Sequence, residues 1–212
     1  MIIKSVNVGL PREIIWKGKK VSTAIYKYPT DQTLAVRQTN IDGDAQAEAD
    51  IHGGIDKAVY SYSAEYYAYW ENALQYPIET GAFGENITTQ GLVDHEVHIG
   101  DEYRFGTAVL MAIQPRMPCY KLGIRFNNAK MVKYFYEARK NGIYFRVLKE
   151  GTVQKGDTIS LIKHSKYAIT IQDMVDNYVL KTKDIEKIHQ MIAIPFMPAW
   201  FRSEFQKMLS AV

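Results

Sequence analysis

Alternation of apolar and polar positions runs through the first 160 residues of the chain. The stretches IIKSVNV (2–8), VSTAIY (21–26), TLAVR (33–37) and KAVYSY (57–62) mix β-branched and aromatic residues and are separated by Gly, Pro, Asp and Asn. That pattern predicts short strands. DEYRFGTAVLMAIQ (101–114) predicts two strands around Gly106, with Val109, Met111 and Ile113 on one face by the period of two. IYFRVL (143–148) and DTISLI (157–162) predict the closing pair. Two helices interrupt the strands. Ser63 is placed to cap 64–74, with Glu65 in the first turn and Pro77 beyond the end. Asn127 or Asn128 is placed to cap 129–140, with Gly142 as the residue after its C-terminus. Many short strands with few helices predict a mainly β protein built on a closed or nearly closed β-barrel.

Beyond His164 the period changes. Thr170 and Asp173 stand at capping-box spacing, Ile185, Ile188 and Ile192 share one helical face, and Pro195 and Pro198 precede a last helical stretch from Ala199. The expected division is a β-barrel domain over 1–164 and a small all-α three-helix domain over 165–212. Each helix is short enough to need packing partners.

Composition narrows the function. A chain of 212 residues with 47% hydrophobic and 23% charged residues can bury an ordinary core. The net charge of +3 is too small for a nucleic-acid face, but compatible with a small anionic ligand. The N-terminal stretch lacks the apolar core of a signal peptide, and no apolar run approaches a membrane span. With one cysteine there is no intrachain disulfide, and a cytoplasmic setting with no membrane partner is expected. The 15 tyrosines are scattered, as packing residues are.

That cysteine, Cys119, lies in QPRMPCYKLG (114–123), after two prolines, Pro115 and Pro118, and between two cations, Arg116 and Lys121. A lone cysteine is commonly a small buried hydrophobe. Here the prolines suit a strand end that fixes a side chain on a rim, and the cations favour a thiolate, which is a nucleophile and a soft-metal ligand. Cys–His catalysis with His52, His95 or His98 remains open, without a local signature for it. Zinc has no CxxC or HxxxH spacing to support it. Gly53 and Gly54 before Lys57 permit close approach of a ligand to backbone, or form a plain turn. The hydroxyls and backbone N–H groups of ETGAFGENITTQGL (79–92) suit an anion.

Taken together, IHGGIDKAVYSY (51–62), GAFGENITTQGL (81–92), VHIGDEYRFG (97–106), QPRMPCYKLG and GIYFRVLKEG (142–151) resemble, in order, the MOSC family, named for the C-terminal domain of molybdenum cofactor sulfurases. The tail is similar to the three-helix domain of members that carry one. The resemblance implies a β-barrel whose cleft holds the molybdenum cofactor, molybdenum bound by molybdopterin, with Cys119 as the thiolate ligand of the metal. It implies reduction of N-hydroxylated bases such as 6-hydroxylaminopurine, a detoxification. It also leaves open a sulfur carrier through a Cys119 persulfide, or a binding module without turnover. One thiol cannot supply two electrons reversibly, so a metal centre must carry the redox step. The chain has no cysteine cluster for iron–sulfur chemistry, so the electron donor, a reductase or iron–sulfur protein, is expected to be a separate chain. Expected anion-binding groups are Gly53, Gly54, Lys57, Arg116, Lys121 and Arg146, with Asn86 and Thr88 as neutral donors and His52 as a proton donor.

Overall fold

The computed structural model describes residues 1–48 and 53–210; His52 lies outside the described residues. Twelve strands are present among them. They are β1 (Ile2–Val8), β2 (Arg12–Trp16), β3 (Lys19–Thr23), β4 (Tyr28–Thr30), β5 (Leu34–Val36), β6 (Val59–Ser63), β7 (Ile87–Gln90), β8 (Glu102–Phe105), β9 (Ala108–Pro115), β10 (Ile143–Lys149), β11 (Gly151–Val153) and β12 (Ile159–Lys163). Eight of them form one sheet in the order β12-β8-β9-β10-β6-β7-β1-β4, antiparallel except for the β6–β7 pair. β11 pairs with β5, and β2 with β3.

The expected closed or nearly closed barrel is corrected to an open sheet. Its outer strands are β12 and β4. The sheet curls until the start of β1 meets the start of β12, through an Ile2–Thr158 bridge and the bond from Ile3 N to Asp157 O at 2.9 Å. Gly156 N to Ile3 O and Ile159 N to Met1 O, both at 2.9 Å, flank that contact, which stays an isolated bridge outside the ladders. The expected closing pair is also corrected: β10 lies between β9 and β6, whereas β12 pairs with β8.

Strand alternation divides the interior in two. Val59 of β6, Ile143, Phe145 and Val147 of β10 and Ala108, Leu110 and Ala112 of β9 enter one apolar core. Tyr60 and Tyr62 of β6 enter a second, aromatic core. On β9 Val109 and Met111 share a half-buried face as expected, opposite the core face of Ala108, Leu110 and Ala112. The register of β9 against β10 shifts by one residue at Ile113, which is buried as well.

Six α-helices and a short 3-10 helix at Ile55–Lys57 complete the described chain. The first three are α1 (Glu65–Leu74), α2 (Tyr120–Arg125) and α3 (Met131–Ala138). They supply Trp70, Leu122 and Phe135 to the aromatic core. Neither expected cap forms as drawn. Ser63 ends β6 and bonds the Glu65 carboxylate, and α1 starts after Ala64 without a side-chain cap. Asn128 Oδ1 accepts from Lys130 N, one position before α3. Gly142 is not a helix terminator. It has φ +70 at the entry to β10, and a Cβ there would strike the Ser61 carbonyl oxygen.

The last three helices are α4 (Ile171–Val179), α5 (Ile185–Ala193) and α6 (Ala199–Ser210). The Thr170–Asp173 capping box is present in both directions, at 3.0 and 2.9 Å. Ile171, Met174, Ile188, Met191, Phe201 and Phe205 join the same apolar core as the sheet. Among the described residues no helix is long and apolar enough to cross a membrane.

Candidate functional site

Cys119 lies four residues past the end of β9, at the N-terminal boundary of α2, and is half-buried. Pro115 is the last residue of the β9–β10 ladder, so the strand stops where a backbone donor is missing. The loop 116–119 then delivers Arg116 and Cys119 into one cleft. That cleft is lined by both residues and by Met117, Lys121, Lys57, Tyr60, Asn86 and Tyr144, and on its other side by Thr23, Ile25, Lys27, Asp44 and Gln46. Its water-accessible space is about 90 Å³, room for a phosphate-sized group; a larger ligand has to extend through its mouth.

Arg116 is 5% exposed, and its guanidinium lies 5.6 Å from the centre of the Tyr60 ring and 5.4 Å from that of Phe135. Burial opposes its charge, yet the neighbouring Tyr60, Tyr144 and Cys119 side chains raise its pKa on balance. Its Nη1 is buried and makes no hydrogen bond. A buried charged donor without a partner is costly and calls for one.

The other cations differ from it. Lys121 is 4% exposed and donates to Glu48 Oε2 at 2.7 Å. Lys57 lines the cleft, and burial lowers its pKa against the opposing charge of Asp56. Lys27 is buried and ion-paired to Asp44 Oδ1; burial lowers its pKa, and Asp44 raises it. Asp44 Oδ1 also accepts Gly9 N at 2.9 Å, and its Oδ2 accepts Asn86 Nδ2 at 2.8 Å.

Several sequence-predicted residues have other work. Asn86 lines the cleft, but its amide is committed to Asp44 and its Oδ1 accepts Tyr60 N at 3.1 Å, so it builds the floor and is not a free donor. Thr88 is absent from the lining; its hydroxyl donates to Glu85 Oε1 at 2.9 Å and accepts from Asn7 Nδ2 at 3.1 Å. Arg146 is also absent from the lining and bonds the Asp56 carboxylate through Nε and Nη2. Gly53 and Gly54 do not line the cleft, although Gly54 has φ +91 with open space where a Cβ would stand. His95 and His98 are likewise not in the lining. Lys27, Asp44, Tyr60 and Tyr144 were not singled out in the sequence: Tyr60 and Tyr144 lie inside quoted motifs but read as packing residues, Lys27 and Asp44 lie in none, and the fold brings all four to Cys119.

Among the described residues no three His, Cys, Asp or Glu side chains gather as a metal set. Cys119 can therefore offer one ligand to a metal whose remaining ligands arrive with it. A cofactor that brings its own sulfur ligands and an anionic group suits this donor set: one thiol, and one buried guanidinium with an unused N–H.

These features belong to a recognisable class. The MOSC domain model matches residues 48–160, and the chain belongs to that family. YflK of Bacillus subtilis is 36% identical over 97% of this chain and 93% of its own length. A protein named "Reductase" from Gibberella moniliformis is 38% identical over 69% of this chain, which spans 27% of that protein. The crystal structure of YiiM from Geobacillus stearothermophilus matches with a TM-score of 0.82 and 33% identity over 98% of both chains.

Proposed function

We propose that this chain is a molybdenum-cofactor-dependent reductase of N-hydroxylated nucleobases or analogues, of which 6-hydroxylaminopurine is representative, acting in the cytoplasm with a separate electron-donating reductase or iron–sulfur protein. The observation that carries the reading is the unpartnered Nη1 of buried Arg116 in the same cleft as the only thiol. Membership of the MOSC family and the reductase-named relative support it.

The reaction takes R–NHOH, two electrons and two protons to R–NH2 and water. Bound in this cleft, the molybdenum cofactor supplies the two-electron chemistry that no side chain here can. Cys119 Sγ would hold the metal as a thiolate, and Pro118 immediately before it limits its movement. Arg116 Nη1, which has no partner within the protein, would hold the anionic part of the cofactor with a charge-assisted hydrogen bond. Lys57 adds positive charge in the lining, and Lys121, buried and paired with Glu48, adds a charge already partly offset. Tyr60 and Tyr144 wall the cleft and exclude water from the buried guanidinium. Lys27 Nζ, held on Asp44, carries a proton in the lining and is a source for the departing hydroxyl; His52 is a second proton donor in this reading.

The test is protein made in a host that synthesises the cofactor, analysed for molybdenum and pterin and assayed with 6-hydroxylaminopurine and a chemical reductant. Wild-type protein should contain both and turn over. Cys119→Ser should keep the fold and lose activity by at least about a hundredfold, because a protonated hydroxyl ligates a soft metal poorly. Equal turnover by Cys119→Ser removes the thiol from the mechanism. A persulfide on Cys119 in metal-free protein would favour sulfur carriage instead.

A further inference from the structure

We infer that Asp94 and Asn141 are positioning residues for Arg116: the carboxylate fixes the turn 141–142, and the turn fixes the Arg116 backbone from both sides. Asp94 is 1% exposed and stands between β7 and β8, outside the cleft lining. Its Oδ2 accepts Asn141 N at 2.9 Å and Gly142 N at 3.0 Å. Two bonds continue from that turn. Asn141 Nδ2 donates to Arg116 O at 2.8 Å, and Arg116 N donates to Gly142 O at 3.3 Å. Asn141 Nδ2 also lies 3.9 Å from Met117 Sδ, next along the loop to Cys119. Bonds to an ionised acceptor are roughly twice as strong as neutral ones, and burial removes competing water.

The unit is not optimised for stability. Asp94 Oδ1 and Asn141 Oδ1 are both buried without a hydrogen bond. Burial lifts the Asp94 carboxyl to about 6, against the lowering effect of its backbone donors. A neutral acceptor could hold two N–H groups at less cost, so the charge serves the stiffness of the loop. The groups facing Asp94 are Tyr66, whose hydroxyl accepts Asp94 N at 3.1 Å, Tyr60 and Tyr62 of the central strand, and His95 beside it in the chain. To remove the one histidine among these, His95→Gln protein is the parent for the test.

This inference rests on Arg116 being the anion-binding group of the proposed site, and the experiment separates the two. Sulfate is titrated into the parent and into its Asp94→Asn, Asn141→Ser and Arg116→Met versions. The Arg116 side-chain NMR signals report where that residue remains, calorimetry reports for all four proteins, and urea unfolding checks the fold. Removing a negative charge near a guanidinium would, by Coulomb attraction alone, tighten an anion. Lost positioning gives the opposite sign. Asp94→Asn and Asn141→Ser should each bind sulfate about tenfold more weakly at neutral pH. In the parent, affinity should fall as pH drops through about 6, and Asp94→Asn should be flat there. Unchanged or tighter binding by folded Asp94→Asn, or a parent profile flat through that range, overturns the inference. Should Asp94→Asn fail to fold, Asn141→Ser and the parent profile decide it. If Arg116→Met binds sulfate as the parent does, the site reading fails and takes this inference with it. If Arg116→Met loses binding while Asp94 and Asn141 do not matter, only the positioning role falls.

Discussion

The aromatic core and the cleft share β6 as a wall, and they treat buried polar atoms in opposite ways. In the aromatic core each polar handle is used: Trp70 Nε1 donates to Tyr62 Oη at 2.6 Å, Tyr62 Oη donates to Lys140 O at 3.0 Å, and Tyr60 Oη donates to Asn141 O at 2.7 Å. The rings fill the rest, with Tyr62 stacked on Phe83 at 4.4 Å and Trp70 on Phe135 at 5.8 Å. In the cleft Arg116 keeps an N–H with no acceptor, and a lysine and an aspartate are buried together. One region is built for stability and the other holds unsatisfied charge. The first is the support on which the second is mounted, since Phe135 and Tyr60 also flank the Arg116 guanidinium.

The largest expected effect therefore falls on the satisfied side. Trp70→Ala removes the 1%-exposed indole and leaves Tyr62 Oη without its donor. A loss of about 3–5 kcal/mol in unfolding free energy is expected by urea denaturation. A loss under about 1 kcal/mol would mean that the cluster is loosely packed and that the contrast with the cleft is false.

A second, smaller effect comes from pH. The Asp94 carboxyl is lifted from 3.8 to about 6 by burial. An acid whose pKa is raised on folding stabilises the protein below its unfolded value and loses that contribution as pH rises through the folded one. Stability should thus decline between about pH 4 and pH 6, by about 3 kcal/mol from this group. Glu85, fully buried and also raised by burial, acts in the same direction. Asp94→Asn should flatten the decline in chemical unfolding measured across that range. A decline unchanged by the substitution would assign it to Glu85 instead.

What the sequence revealed divides along the same line. The C-terminal helices were legible because period, caps and prolines are local signals: Thr170 and Asp173 form the expected box, and Pro195 and Pro198 precede the last helix. The strands around Gly106 were legible for the same reason. The shared face on β9 was legible for Val109 and Met111 but not for Ile113, because the register shift against β10 at that residue breaks the period of two. The open sheet was misjudged because strand count alone does not reveal whether the outer strands pair. In the site, Cys119, Arg116, Lys121 and Lys57 were found through chemical type in a short motif. Lys27 and Asp44 are 17 positions apart in unremarkable surroundings, and only the chain's return past β3 brings them to the thiol. Asn86, Thr88 and Arg146 carry suitable atoms, but those atoms are already spent on neighbours, which residue type cannot disclose.

The smallest expected change in stability, and the sharpest contrast, belongs to Arg116→Met. Methionine retains a long flexible side chain that can lie between Tyr60 and Phe135, while removing a buried charge whose Nη1 has no acceptor. The backbone bonds of residue 116 to Gly142 O and from Asn141 Nδ2 do not depend on the side chain and should persist. Replacing a poorly compensated buried ion with an apolar group of similar length is commonly neutral or stabilising. Unfolding free energy should accordingly stay within about 1 kcal/mol of wild type or rise, while sulfate binding in the cleft and molybdenum content of protein from a cofactor-making host should both fall at least about tenfold. Gain or neutrality in stability with loss of ligand is the signature of a residue kept for binding. A loss of several kcal/mol would place Arg116 with Trp70 among the residues that hold the fold together, and its unpaired N–H would then have to be satisfied from within the protein.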